Sequence, residues 1–241
     1  NNTTGAGNVA LGFEALKANT TASNNTGIGY NALTANLDGT QNVVIGAEAM
    51  KTATSDDGAV VVGYLAGRDM NGATHTTLLG SYAGLTLTTG DKNTYIGTES
   101  GPQGAASTGG NNTGVGYNSL AANTEGHSNT AVGHGSLDAC TTGDENTAVG
   151  LGSLTNCTTS NKNTSMGVHS LGNTTTGASN VAIGYYAGLA LTTGSNNIFL
   201  GKDAGRTGSP GGQQTTSSDK LGLGDENITG AHVQVDWTIA S

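Results

Sequence analysis

The hydrophobic pattern of this chain repeats every 17 residues. A glycine closes each copy, at Gly12, Gly29, Gly46, Gly63, Gly80 and Gly97, then at Gly116, Gly133, Gly150, Gly167, Gly184 and Gly201, with one step of 19 between Gly97 and Gly116. A fixed period of this length marks a stacked repeat architecture. The residue before each glycine is aliphatic or Met, as in Leu11, Ile45, Val132 and Met166, and the residue three before is Val, Ile or Thr, as in Val9, Thr26, Val43 and Ile198. The residue between them is unrestricted (Gly27, Tyr95, Ser165, Phe199). This period-2 alternation predicts a short strand with one buried face. The aliphatic pair is expected inside and the variable residue outside.

The third residue after each glycine never exceeds Ser in size, from Ala15 through Ser100 and Ser170 to Ala204, so another backbone is expected close by. The next position is Leu or Met in seven copies and Gly in five, which defines two coil variants. The rest of each copy is a polar turn such as Thr141-Thr142-Gly143-Asp144-Glu145 or Thr192-Thr193-Gly194-Ser195-Asn196, where Gly can supply the positive φ of a tight corner. Seventeen residues are too few for a βα repeat and carry no 3.6 periodicity. They suit one turn of an all-β parallel β-solenoid, here with twelve coils. Asn stands four before the glycine in ten copies, at Asn8, Asn25, Asn42, Asn93, Asn112, Asn129, Asn146, Asn163, Asn180 and Asn197. Stacked amides can bond their own kind above and below and cap the turn backbone, so these asparagines are expected to form a structural ladder.

Composition narrows the function classes. The 241 residues contain 41 glycines, 4% aromatics, 10% charged residues and a net charge of -9 with only eight Lys and Arg. High glycine without a Gly-X-Y period excludes collagen, and column-wise aliphatics argue against a disordered chain. The scarcity of cations argues against nucleic acid or an anionic membrane surface as a partner. No run approaches the roughly 18 apolar residues of a membrane span, so no membrane insertion is expected. The opening Asn1-Asn2-Thr3-Thr4 lies inside a repeat and reads as a fragment boundary or processed end.

Three segments result. Residues 1–7 are the end of a preceding turn or a fragment boundary, residues 8–205 the solenoid, and residues 206–241 a C-terminal cap whose Val233 to Ile239 alternate as a terminal strand. Each coil offers only three or four apolar positions, many of them Ala or Thr. A lone solenoid would therefore offset little of the roughly 1–2 kcal/mol per residue of backbone ordering, and packing several solenoids along one axis would supply the missing burial. The small-residue column and the Leu/Gly column are the expected contacts. The aromatics after the glycine (Phe13, Tyr30, Tyr64, Tyr117, Tyr185) are expected to pack at a coil edge or chain interface.

Two resemblances add to this reading. Asn129-Thr130-Ala131-Val132-Gly133-His134-Gly135-Ser136 and Asn180-Val181-Ala182-Ile183-Gly184-Tyr185-Tyr186-Ala187 resemble the head repeats of trimeric autotransporter adhesins, although those heads commonly have a shorter period. That resemblance implies a left-handed β-roll in an intertwined homotrimer. Ser218-Asp219-Lys220-Leu221-Gly222-Leu223-Gly224, followed by Val235-Asp236-Trp237-Thr238-Ile239-Ala240-Ser241, resembles the region before the endosialidase-type intramolecular chaperone of phage tail fibres and tailspikes. It implies a chain that ends at Ser241 by chaperone self-cleavage. Together they imply a virion tail fibre or extracellular surface adhesin whose partner is a host cell-surface receptor, a glycan or an outer-surface protein.

The chemistry-bearing residues do not assemble into an enzyme by spacing. Asp91, Asp144 and Glu145 sit in turns and read as solvated corners rather than paired carboxylates, and His75, His127, His134, His169 and His232 are scattered without i,i+2 or i,i+4 pairing. No catalytic, cofactor or metal residues are therefore expected. Cys140 and Cys157 are 17 apart and share a column. They read first as small apolar residues filling it, with a disulfide also open because stacked coils sit about 4.8 Å apart. Two alternative functions stay open: a polysaccharide-degrading tailspike, and an ice-binding solenoid built on the threonine column.

Overall fold

The computed structural model describes residues 2–209 and 212–225. It is an all-β parallel solenoid of about eleven turns of roughly 17 residues, with no helix among the described residues. Among the described residues, thirteen strands of three residues each make one parallel sheet in strict chain order. They are β1 Val9–Leu11, β2 Thr26–Ile28, β3 Val43–Ile45, β4 Val60–Val62, β5 Thr77–Leu79, β6 Thr94–Ile96, β7 Thr113–Val115, β8 Thr130–Val132, β9 Thr147–Val149, β10 Thr164–Met166, β11 Val181–Ile183, β12 Ile198–Leu200 and β13 Leu221–Leu223. Equivalent residues face one another across every pair, for example Thr130↔Thr147, Ala131↔Ala148 and Val132↔Val149. The longer step between Gly97 and Gly116 leaves the register intact, with Tyr95↔Gly114.

The closing glycine exists because coils stack backbone on backbone. A Cβ on Gly133, whose φ is +131°, would lie 2.5 Å from the carbonyl oxygen of Gly150. Other corners divide the labour differently from the sequence expectation. Positive φ falls on Glu145 (57°) and Asn196 (59°), whereas a side chain at Gly143 or Gly194 would run into the backbone carbonyl of the next coil, Ser160 O or Ser217 O, and then into Cys140 Sγ or Leu191 Cδ1, each at 2.8 Å.

The buried face of the strands is the reverse of the expected one. Val44 is fully buried, while its neighbours Val43 and Ile45 are 37% and 38% exposed, and the same inner centre and outer flanks recur from β2 to β13. The coil interior is narrow, and most coils hold one large side chain at each level. The central strand residue shares that space with the Leu/Gly position, and their volumes trade. Ala131 stands with Leu137 and Ala148 with Leu154, whereas Leu78 stands with Gly84, Tyr95 with Gly101 and Phe199 with Gly205. A Cβ on Gly101 would sit 2.6 Å from Tyr95 Cγ, and one on Gly205 would sit 2.7 Å from Phe199 Cδ1. In ten of the twelve coils the apparent freedom of the central position and the two coil variants are thus one packing rule, from which Val44 with Met50 and Ala182 with Gly188 depart.

That interior also removes the expected inter-solenoid contacts. The small-residue column is fully buried inside the coil from Ala32 onward, as are Leu33, Leu120, Leu137, Leu154 and Leu171. The serines of this column hydrogen-bond inside the coil: Ser100 Oγ lies 2.8 Å from Ser119 Oγ of the next coil, and Ser170 Oγ 2.7 Å from the strand-centre Ser165 Oγ. Neither column is available to a second chain.

Candidate functional surface

The outward strand residues and the residue after the glycine line up as three exposed columns along one face. The first holds Val, Ile or Thr, and runs unbroken as Thr from Thr77 to Thr164. The second is aliphatic throughout, with Leu79, Ile96, Val132, Met166 and Ile183 all exposed. The third carries Phe13, Tyr30, Tyr64, Tyr117, Leu151 and Tyr185, also exposed. Thirteen strands at about 4.8 Å give a stripe about 58 Å long and about 10 Å wide, on the order of 600 Å². The largest apolar patch on an ordinary monomer is about 300–600 Å², and patches of this kind mark interaction sites. The threonine column lies half-exposed on this outer face, contrary to the expectation that the pair flanking the strand centre lies inside.

Rings pair along the edge of the stripe. Phe13 stacks on Tyr30 with centroids 5.5 Å apart, and Tyr117 on His134 at 5.2 Å. Farther along, His169 stacks on Tyr186 at 5.6 Å, Tyr185 lies 4.0 Å from Tyr186, and the Arg206 guanidinium sits 4.9 Å over the Tyr186 ring while pairing with Asp203.

The ten asparagines sit elsewhere. From Asn25 onward they are buried. Each Oδ1 accepts the backbone N–H at the same position of the next coil, as from Asn146 to Asn129 at 2.9 Å and from Lys220 to Asn197 at 3.0 Å, while Nδ2 donates to a corner carbonyl, as from Asn146 to Ser160 at 2.7 Å. The ladder skips Ala59 and Thr76, which occupy the same column. Ser241 and the segment from Val233 to Ile239 lie outside the described residues, as does His232.

A second ladder at the corner went unread in the sequence. Asp57, Asp91, His127, Asp144, Asn161, Ser195 and Ser218 share one column, and each accepts a backbone N–H from the preceding coil. Asp91 Oδ1 takes Thr74 N–H at 2.7 Å, and Asp144 Oδ1 takes His127 N–H at 2.7 Å. These carboxylates close corners on separate coils, with Thr74 between Asp57 and Asp91 and with Gly110 and His127 between Asp91 and Asp144, and do not converge on a common point. The signal that could have found them is the recurrence of a short acceptor side chain one position past the corner Gly.

Asp56 is the other residue missed. It is fully buried; its Oδ1 accepts Ala73 N–H at 2.9 Å, and its Oδ2 has no hydrogen-bond partner among the described residues. Burial pushes its carboxyl above the ordinary range, only partly offset by backbone N–H donors. Cys140 and Cys157 are buried thiols with Sγ atoms 2.9 Å apart. No group of three or more His, Cys, Asp or Glu able to hold a metal occurs among the described residues, and no helix there is long and apolar enough to cross a membrane. No protein-family description, curated protein or solved structure matches this chain.

Proposed function

We propose that this chain is the structural and receptor-presenting part of a homotrimeric surface fibre, a tail fibre or adhesin, with no catalytic role. In this reading about twelve left-handed coils form the shaft, and the apolar stripe of each copy is covered by its neighbours around the fibre axis. The observation that carries the reading is the stripe itself: an unbroken column of Ile, Leu, Val and Met on the outer face, each exposed or half-exposed, beside exposed aromatics, on a coil whose interior holds few large apolar groups. The threefold count and the handedness rest on the resemblance of the Asn-x-Ala-Val/Ile-Gly repeats to autotransporter heads. The extracellular or virion setting and the host receptor, a glycan or outer-surface protein, rest on that resemblance and on the chaperone-proximal motif. Three copies raise avidity for a repeated receptor without any new contact.

Light scattering on the purified chain tests the reading. A mass of about 71 kDa, three times 23.7 kDa, is expected, and a clean monomer at micromolar concentration overturns it.

The half-exposed threonine run from Thr77 to Thr164, beside an aliphatic column, supports a second reading, a flat face that orders water and binds ice. Thermal hysteresis from a monomeric chain would select it over the fibre.

A further inference from the structure

We propose that Cys140 and Cys157 form a disulfide that staples two adjacent coils of the solenoid. The inference is independent of the fibre reading. Both residues leave the backbone from the same turn position, since Cys140 N–H donates to Leu137 O at 3.2 Å and Cys157 N–H to Leu154 O at 3.3 Å. The flanking residues are locked across the two coils by Ala139 N–H to Thr155 O at 3.2 Å and Thr141 N–H to Thr158 O at 3.0 Å. Neighbours hydrogen-bonded in this way lie about 4.8 Å apart, inside the 4.4–6.8 Å Cα window of disulfides. The sulfurs, at 2.9 Å, need to close by less than about 1 Å to reach the bonded length of about 2.05 Å.

The column around the pair is built to hold it. Gly143 leaves room for Cys140, because a Cβ there would lie 2.8 Å from its Sγ. One coil on, Ser160 takes the place of Gly143 and its hydroxyl donates to Cys157 Sγ at 3.0 Å. The hydrogen bond shared with Cys140, assisted by Ser160, lowers the Cys157 thiol against the effect of burial. As the two coils come together, the Ser160 hydroxyl that donates to Cys157 Sγ favours a thiolate there, so the exchange is written with Cys157 attacking first.

With oxidised glutathione as the oxidant, the Cys157 thiolate attacks one of its sulfurs, the glutathione S–S bond breaks, and the first glutathione leaves and takes up a proton. Cys140, losing its proton, then attacks Cys157 Sγ, the mixed disulfide breaks, and the second glutathione leaves and is protonated. The two cysteines lose two electrons and two protons in all, which reduce one glutathione disulfide to two thiols. Both sulfurs are buried in the finished coil, so exchange belongs to the stage at which the two coils stack, or to their local opening.

The full chain, reduced and unfolded, is refolded in a glutathione redox buffer, quenched with acid, alkylated in guanidinium and weighed intact. The expected product is about 2 Da lighter than the reduced chain and takes up no alkyl group, whereas the Cys140→Ser variant, which cannot close the bridge, carries one alkyl group or one glutathione. Closing a loop of this length raises the folding equilibrium constant on the order of a hundredfold, a gain that reductant removes and that the Cys140→Ala/Cys157→Ala chain lacks. A refolded chain with two alkylatable thiols or stable glutathione adducts overturns the proposal. If refolding fails, the same labelling on never-denatured chain after prolonged exposure to oxidised glutathione decides it, and two free thiols there overturn it equally.

Discussion

The volume trade inside the coil makes a quantitative prediction. Tyr95 fills the space left by Gly101 and is among the largest fully buried side chains. Tyr95→Ala alone empties that space, and an aromatic deletion in a core costs about 3–5 kcal/mol. Gly101→Leu alone drives a side chain into the Tyr95 ring, whose Cγ would lie 2.6 Å from the new Cβ. Overpacking costs about 1–3 kcal/mol, and the left-handed backbone at φ +80° adds about 1–2 kcal/mol for a non-glycine residue. If the two effects were independent, the double variant would lose about 5–10 kcal/mol. It instead rebuilds the small-centre, leucine-corner pairing of Ala131 with Leu137 and Ala148 with Leu154. We therefore expect a residual loss of only about 1–2 kcal/mol and a favourable coupling of several kcal/mol. Denaturant midpoints and thermal melts followed by circular dichroism read this directly, at roughly 2–4 °C per kcal/mol for a chain of this size. A double variant as unstable as the sum of the two singles would refute the packing rule.

Three further outcomes follow from the ladders and the surface. Asn146→Ala removes the acceptor for Asn163 N–H and two side-chain donations, to Asn129 Oδ1 and Ser160 O. It should cost about 2–4 kcal/mol and speed hydrogen exchange most at Asn163, and unchanged exchange there would sink the ladder account. Asp56 has a folded pKa raised above 3.8 by burial. Its contribution to stability is fully present below 3.8 and is lost as pH rises through the raised folded value. Asp56→Asn should therefore melt higher than the parent at pH 7, with the advantage fading toward pH 4, and a pH-independent or reversed difference would contradict the burial argument. Ile96→Asp with Val132→Asp places two carboxylates on the apolar stripe without touching the coil interior. Loss of the oligomer by light scattering with the sheet spectrum intact is expected, and an unchanged mass would remove the stripe from the interface.

Much of the fold was readable before folding. The 17-residue step placed each strand from Val9 to Leu200, and the amide column from Asn8 to Asn197 followed from spacing alone. The Lys220 to Gly224 stretch, inside the segment expected to be a cap, supplies β13, which pairs Ile198↔Leu221 across a longer connection. The corner acceptors were harder to see because Asp, His, Asn and Ser share little except an acceptor atom. Asp56 was invisible because its position is usually Gly, where no side chain signals what the backbone needs.

Residue order alone specifies the stack: a glycine every 17 residues, a β-branched or aliphatic pair before it, and an amide in line with those above and below. These are relations between a residue and its own copies, and they repeat with the chain. Which way each strand faces is a relation across the coil, between Tyr95 and Gly101 or between Ala131 and Leu137. Alternation has two phases, and hydrophobicity favoured the wrong one. Only the width of the folded interior decided between them, putting glycine, alanine and the occasional ring inside and leaving the aliphatic columns exposed.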